Sequence, residues 1–79
     1  RLEFQVYPNP IKDKLQIQFF GDVENAKVSV FDILGKHLIT TNISKYNNSV
    51  DFSNISNGVY IVKIKAEGIK ANTFKLIKE

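Results

Sequence analysis

Gly58-Val59-Tyr60-Ile61-Val62-Lys63-Ile64-Lys65-Ala66 is the longest strand-like run in the chain. Its first half is apolar at every position after the glycine. Its second half alternates, with Lys63 and Lys65 set between Val62, Ile64 and Ala66. A period of two is the strand period, because successive side chains of an extended backbone leave on opposite sides. A run apolar on both faces at one end and on one face at the other describes a strand that is central first and solvent-exposed later. Nothing in the run has the 3.6-residue recurrence of an amphipathic helix.

The same period governs the rest of the chain. Upstream, Val50 and Phe52 flank Asp51, and Leu38–Thr41 is strand-like. Val28 and Val30 alternate with Lys27 and Ser29. Lys14-Leu15-Gln16-Ile17-Gln18-Phe19 is the cleanest half-buried strand, and Leu2, Phe4 and Val6 alternate with Glu3 and Gln5. Downstream, Glu67-Gly68 turns and Thr73–Ile77 forms a last strand. Between these runs stand turn signals: Gly21-Asp22 (with Glu24-Asn25), Asp32-Ile33-Leu34-Gly35-Lys36, the polar stretch Ser44–Ser49, and Ser53–Asn57, where Ile55 is expected under a crossover. Tyr7-Pro8-Asn9-Pro10 reads as a rigid corner, because proline fixes φ, removes a ladder donor and biases its predecessor toward extended geometry. Short strands at this spacing predict an all-β fold, a small antiparallel immunoglobulin-like β-sandwich of about seven strands. Gly58 and Tyr60 fit that fold closely. A tyrosine at this place bonds its hydroxyl back to upstream backbone and ties a crossover to the sheet, the tyrosine corner of such sandwiches, with Asn57-Gly58 as the turn.

Composition sets bounds on function. A chain of 79 residues makes one domain at most, and 43% hydrophobic content is that of a globular protein. Without cysteine there is neither a disulfide staple nor a thiolate metal site. The longest uninterrupted apolar stretch, Val59–Val62, falls far short of a bilayer span, so no direct membrane insertion is expected. The chain opens Arg1-Leu2-Glu3 without Met or a long apolar segment, and it reads as a piece of something longer. Net charge is +3, carried by lysines, five of which follow residue 60. A nucleic-acid or anionic-glycolipid face is one reading of that excess. Lysines decorating the wet side of strands and discouraging edge pairing are the favoured one. Nucleic-acid binding is not expected, since arginine clusters and a reading element are lacking.

Chemistry-bearing residues are sparse. His37 is the single histidine, and nucleophilic catalysis would need a Ser or Thr beside it and a distant Asp. Asp13, Asp22, Asp32 and Asp51 are scattered over turns and strand ends, where turn chemistry accounts for them. A carboxylate pair for glycoside hydrolysis would find little room for a sugar cleft in so small a sandwich. For calcium, the Asp22–Asn25 turn is the least poor candidate, without the ligand spacing the ion needs. No cofactor, no metal and no enzymatic activity are expected. The sequons at Asn42, Asn47 and Asn54 are of a kind that Asn-rich turns produce by chance. Sugar stacking in a carbohydrate-binding module would rest on Tyr46, Phe20 and Phe31, a poor set.

Taken in order, Tyr7-Pro8-Asn9-Pro10, Lys14-Leu15-Gln16-Ile17, Val28–Lys36, Val50-Asp51-Phe52-Ser53, Gly58–Ile64 and Lys75-Leu76-Ile77-Lys78 closely resemble the type A C-terminal sorting domain of the type IX (Por) secretion system. The resemblance runs from about Val6 to the end. It implies residues 6–79 as the sorting domain, with Arg1–Gln5 as linker remnant or first edge strand near a cleavage zone. It implies a signal that directs an N-terminal cargo domain through the periplasm to the outer-membrane translocon, and then to the cell surface or the medium, in Bacteroidota. A sortase-like peptidase would remove the domain. The family's Pro-x-Pro element falls on Pro8 and Pro10, its Gly-x-Tyr element on Gly58 and Tyr60, and its terminal strand on Lys75–Lys78. Translocon recognition is therefore expected of Pro8, Asn9, Pro10, Gly58, Tyr60, Lys75, Leu76, Ile77 and Lys78, with β-augmentation along the last strand as the mechanism. Two departures stand out: Glu79 follows the basic residue with which the family often closes, and Ile11 replaces a frequent aromatic. The exposed terminal strand also offers a route to dimerisation by swapping or edge pairing. The alternative is an immunoglobulin-like spacer or carbohydrate-binding module of a surface protein.

Overall fold

The computed structural model describes residues 3–79; Arg1 and Leu2, and with them the start of the expected linker and the inward place assigned to Leu2, lie outside the described residues. Seven strands follow in chain order: β1 (Phe4–Tyr7), β2 (Lys14–Phe19), β3 (Asn25–Asp32), β4 (His37–Ser44), β5 (Ser49–Asp51), β6 (Gly58–Lys65) and β7 (Asn72–Lys78). No helix occurs among the described residues. One sheet has the order β1-β2-β5 and the other β4-β3-β6-β7, antiparallel throughout. Strands one, two and five thus lie over three, four, six and seven, and the chain crosses between layers after β2, β4 and β5. This is the wiring of an immunoglobulin-like sandwich.

Alternation along each strand delivers the core. Leu15 and Ile17 of β2 meet Val28 and Val30 of β3 and Val62 and Ile64 of β6, all without solvent exposure. Phe4, Ile11 and Phe52 are equally buried, and Tyr60 and Leu76 nearly so. Each such side chain contributes roughly 1.5–3 kcal/mol relative to an exposed one. Aromatic edges add to this packing: Phe4 and Phe19, paired across β1 and β2 of the smaller sheet, sit 5.2 Å apart at 82°, and Phe52, just after β5, meets Tyr60 of the larger sheet 6.3 Å apart at 76°. Ile55 is half-buried and packs on the core from the β5–β6 crossover, as expected of it.

Three boundaries differ from the sequence reading. β3 starts at Asn25 rather than Lys27, so the turn after β2 closes over Gly21-Asp22. β4 extends to Ser44 because its polar residues pair outward, Asn42 with Lys27 and Ser44 with Asn25. Gly58 is the first residue of β6, opposite Lys78, and not part of a turn. The β3–β4 hairpin is held by its own aspartate. Asp32 Oδ1 accepts the N–H groups of Leu34 and Lys36 at 2.9 Å each, and the Asp32 carbonyl accepts the Gly35 N–H at 3.0 Å. Gly35 has φ +89°, which side-chain-bearing residues rarely adopt. Beyond the hairpin, Ile39 opposes Val30 and His37 opposes Phe31, which leaves Leu38 as a bulged residue in β4.

Candidate functional site

The antiparallel wiring gathers one set of segments at one end of the sandwich: the β1–β2 connection, the β3–β4 hairpin, the β5–β6 crossover and the end of β7. All nine residues singled out for recognition come together there. After β1 the chain leaves the smaller sheet at Pro8-Asn9-Pro10, both X-Pro bonds being cis. It then touches the larger sheet at Ile11, which makes a parallel bridge to Lys78, and returns to the smaller sheet as β2.

This detour fastens the end of β7. The Ile77 N–H donates to Asn9 Oδ1 at 3.1 Å, and the Ile77 carbonyl accepts the Ile11 N–H at 2.6 Å. The Glu79 N–H donates to the Ile11 carbonyl at 2.9 Å. Ile11 itself is fully buried, so an aliphatic side chain suffices where an aromatic was noted as frequent. On the other side of β7, Lys78 pairs with Gly58 and Leu76 with Tyr60. The Tyr60 hydroxyl donates to the Ser56 carbonyl at 2.5 Å, which completes the expected tyrosine corner. The Tyr60 ring stands 3.7 Å from where a Cβ on Gly58 would lie.

The nine residues divide by exposure. Pro8, Asn9, Pro10, Lys75 and Ile77 face solvent, with Ile77 at 44%. Tyr60 and Leu76 are core residues, and Lys78 lies on the inward side of β7 with 8% exposure. Gly58 is half-buried. A partner touching this corner therefore meets the first five, while Tyr60, Leu76 and Lys78 hold them in place. The edge open to a pairing partner is also shorter than β7. Ile77 has spent its outer hydrogen-bonding groups on Asn9 and Ile11, and strand alternation leaves Thr73 and Lys75 as the outward-bonding residues beyond it.

The other candidates are dispersed. His37 hydrogen-bonds to Thr40 Oγ1 and lies edge-on to Phe31, 5.4 Å between ring centres. Asp32 organises its hairpin. Asp51 Oδ1 accepts the Ser53 N–H at 2.8 Å. Hydrogen bonds from the Ser53 side chain and backbone, helped by the Lys14 charge, hold the Asp51 carboxyl below its ordinary value. No group of three or more His, Asp or Glu residues able to hold a metal ion forms among the described residues. A recess of about 530 Å³ lies between β4 and the β5–β6 crossover, lined by Leu38, Ile39, Asp51, Asn54, Ile55, Ser56 and Tyr60. It brings Asp51 near no second carboxylate. Of the three aromatics considered for sugar stacking, Phe20 and Tyr46 sit in connections at the far end and Phe31 near the corner end, so they form no platform.

What sequence reasoning missed was Ile11. It is one buried aliphatic among turn residues, and its only signal was an apolar residue directly after Pro-Asn-Pro. A family model described as a secretion system C-terminal sorting domain matches residues 5–79. No curated protein matches the chain.

Proposed function

The chain belongs to the family of type IX secretion system C-terminal sorting domains, and from that premise we propose that it works as a folded export signal read at the Asn9–Ile77 corner. The observation that carries this reading is the fusion of two motifs 68 residues apart into one surface by the Asn9–Ile77 hydrogen bond. In an unfolded chain, Pro8-Asn9-Pro10 and Lys75–Lys78 are unrelated strings. In the sandwich they are adjacent, and a translocon component that grips both selects folded domains.

The cargo precedes the domain, crosses the periplasm with it, and reaches the cell surface or the medium of a Bacteroidota host. A sortase-like peptidase then cuts N-terminal to Phe4. Supporting this reading, Phe4 is fully buried and paired with Phe19, whereas a protease needs accessible extended chain. The domain supplies no catalytic group of its own to these steps; it is the substrate of the peptidase.

Fusion of this chain to the C-terminus of a fluorescent protein bearing an export signal, in a type IX-competent host, tests the reading. Fluorescence at the surface or in the medium is expected. Retention in the periplasm by an intact, folded fusion would sink it in favour of a passive spacer.

A further inference from the structure

The outward face of the larger sheet has a composition that edge protection does not explain. Cross-strand register sets Lys27 of β3 directly opposite Lys65 of β6. One step along, Lys63 lies between Ser29 and Thr73. Lys75 faces Ile61 in the row after that, and Phe31 lies on the other side of Ile61. The last row holds Val59 and Ile77. All four lysines are exposed. Among the described residues no Asp or Glu stands at an outward position of β3, β4, β6 or β7.

Lysines that guard a sheet against edge pairing belong on edge strands. Here Lys27, Lys63 and Lys65 are on β3 and β6, the two central strands, and only Lys75 is on an edge. Like charges directly opposite one another destabilise a sheet. The Lys65 ammonium finds the Ile69 carbonyl at 3.1 Å, which satisfies a donor without neutralising the charge. Glu67 shares a shallow recess with Lys27 and Lys65 but makes no ion pair with either; the ion pair found among the described residues is Lys12–Glu79, 3.7 Å apart on the exposed surface. The like-charge opposition works against the fold's own stability, and among the described residues none of the four lysines is held in an ion pair.

We propose that this face is a docking surface for an acidic protein partner, whose carboxylates meet Lys27, Lys63, Lys65 and Lys75 and whose apolar patch covers Phe31, Val59, Ile61 and Ile77. Charge complementarity selects the anionic partner. The apolar half selects protein over lipid: Phe31, Val59 and Ile61 are half-buried and flush with the sheet, suited to a flat complementary surface rather than to insertion among acyl chains. Ile77 belongs both to this face and to the Asn9 corner, so the two surfaces are continuous. The proposal rests on the sorting reading and names the chemistry of the partner that reads it.

The test is the triple substitution K27Q/K63Q/K65Q in the fluorescent export fusion, with K27R/K63R/K65R beside it. Removing the repulsion should raise the thermal midpoint of the isolated domain by about 2–5 °C, while delivery falls roughly tenfold, the scale of a modest electrostatic contribution to an interface. The arginine variant should deliver like the parent. A domain made more stable yet less exported cannot be explained by misfolding. Undiminished delivery by the glutamine variant overturns the docking face and leaves the sorting reading intact, whereas failure of the parent fusion to leave the periplasm removes both. Sedimentation of the parent domain, but not of the glutamine variant, with phosphatidylglycerol vesicles or lipopolysaccharide micelles would overturn the protein partner in favour of an anionic lipid surface.

Discussion

Replacing Asn9 by alanine removes one acceptor and nothing else from the corner. The Ile77 N–H loses its partner at 3.1 Å, while the Ile11–Ile77 and Ile11–Glu79 backbone bonds remain. Because the site is exposed, water replaces the lost acceptor, and the cost is that of one ordinary hydrogen bond, about 0.5–1 kcal/mol. With a urea slope near 1 kcal/mol/M for a chain this small, the midpoint should fall by about 0.5–1 M. Amide hydrogen exchange reports the locus. If the bond governs local opening at the end of β7, the Ile77 amide should exchange about 2–5-fold faster, the Boltzmann factor of that energy. The Glu79 amide, held by Ile11, should change far less. Asn9→Asp keeps an acceptor in place and should restore protection. An Ile77 amide that exchanges equally in the parent and the alanine variant, under conditions where local opening is observed, would refute the idea that Asn9 fastens β7.

Three further outcomes are expected. Tyr60→Phe removes the hydroxyl bonded to Ser56 and should lower stability by about 0.5–1.5 kcal/mol in urea unfolding, with near-native circular dichroism. Leu76→Asp buries a carboxylate in the core and should abolish folding, whereas Ile77→Asp sits at an exposed position and should leave the unfolding free energy within about 0.5 kcal/mol of the parent while reducing delivery of the fusion. Asp51, whose carboxyl lies below its ordinary value of 3.8, binds fewer protons folded than unfolded at acid pH. Its stabilising share is full above that value and is lost as pH falls through the lower folded value, so Asp51→Asn should flatten the acid limb of a stability–pH profile.

The fold was legible because its evidence is local. Leu15 and Ile17, Val28 and Val30, and Val62 and Ile64 announce an inward face by alternation alone, and all six are fully buried. Gly58 and Tyr60, two residues apart, foretold the tie of the Tyr60 hydroxyl back to the crossover at Ser56. Strand ends were less legible: Asn42 and Ser44 have no strand-like character of their own and join β4 because β3 offers them a ladder. The corner was only half visible. Pro8 and Pro10 marked a change of direction, yet nothing local to Asn9 says that its amide reaches a strand 68 residues away, or that Ile11 joins the opposite sheet. The lysine face was hidden for the same reason. Lys27 and Lys65 are neighbours only once register is known, and without the strand order no one could tell that their strands are central.

The path of β1 has a practical outcome. The polypeptide enters the sandwich at Glu3, whose N–H bonds to the Asn72 side chain and whose carboxylate approaches Gly21. That is the end opposite the Asn9–Ile77 corner, on a body 33 Å long. A receptor clasping the corner thus leaves the entry end uncovered. If, as proposed, the corner is gripped and a peptidase cuts ahead of Phe4, grip and severance need not take turns: the cut can be made while the domain is still held.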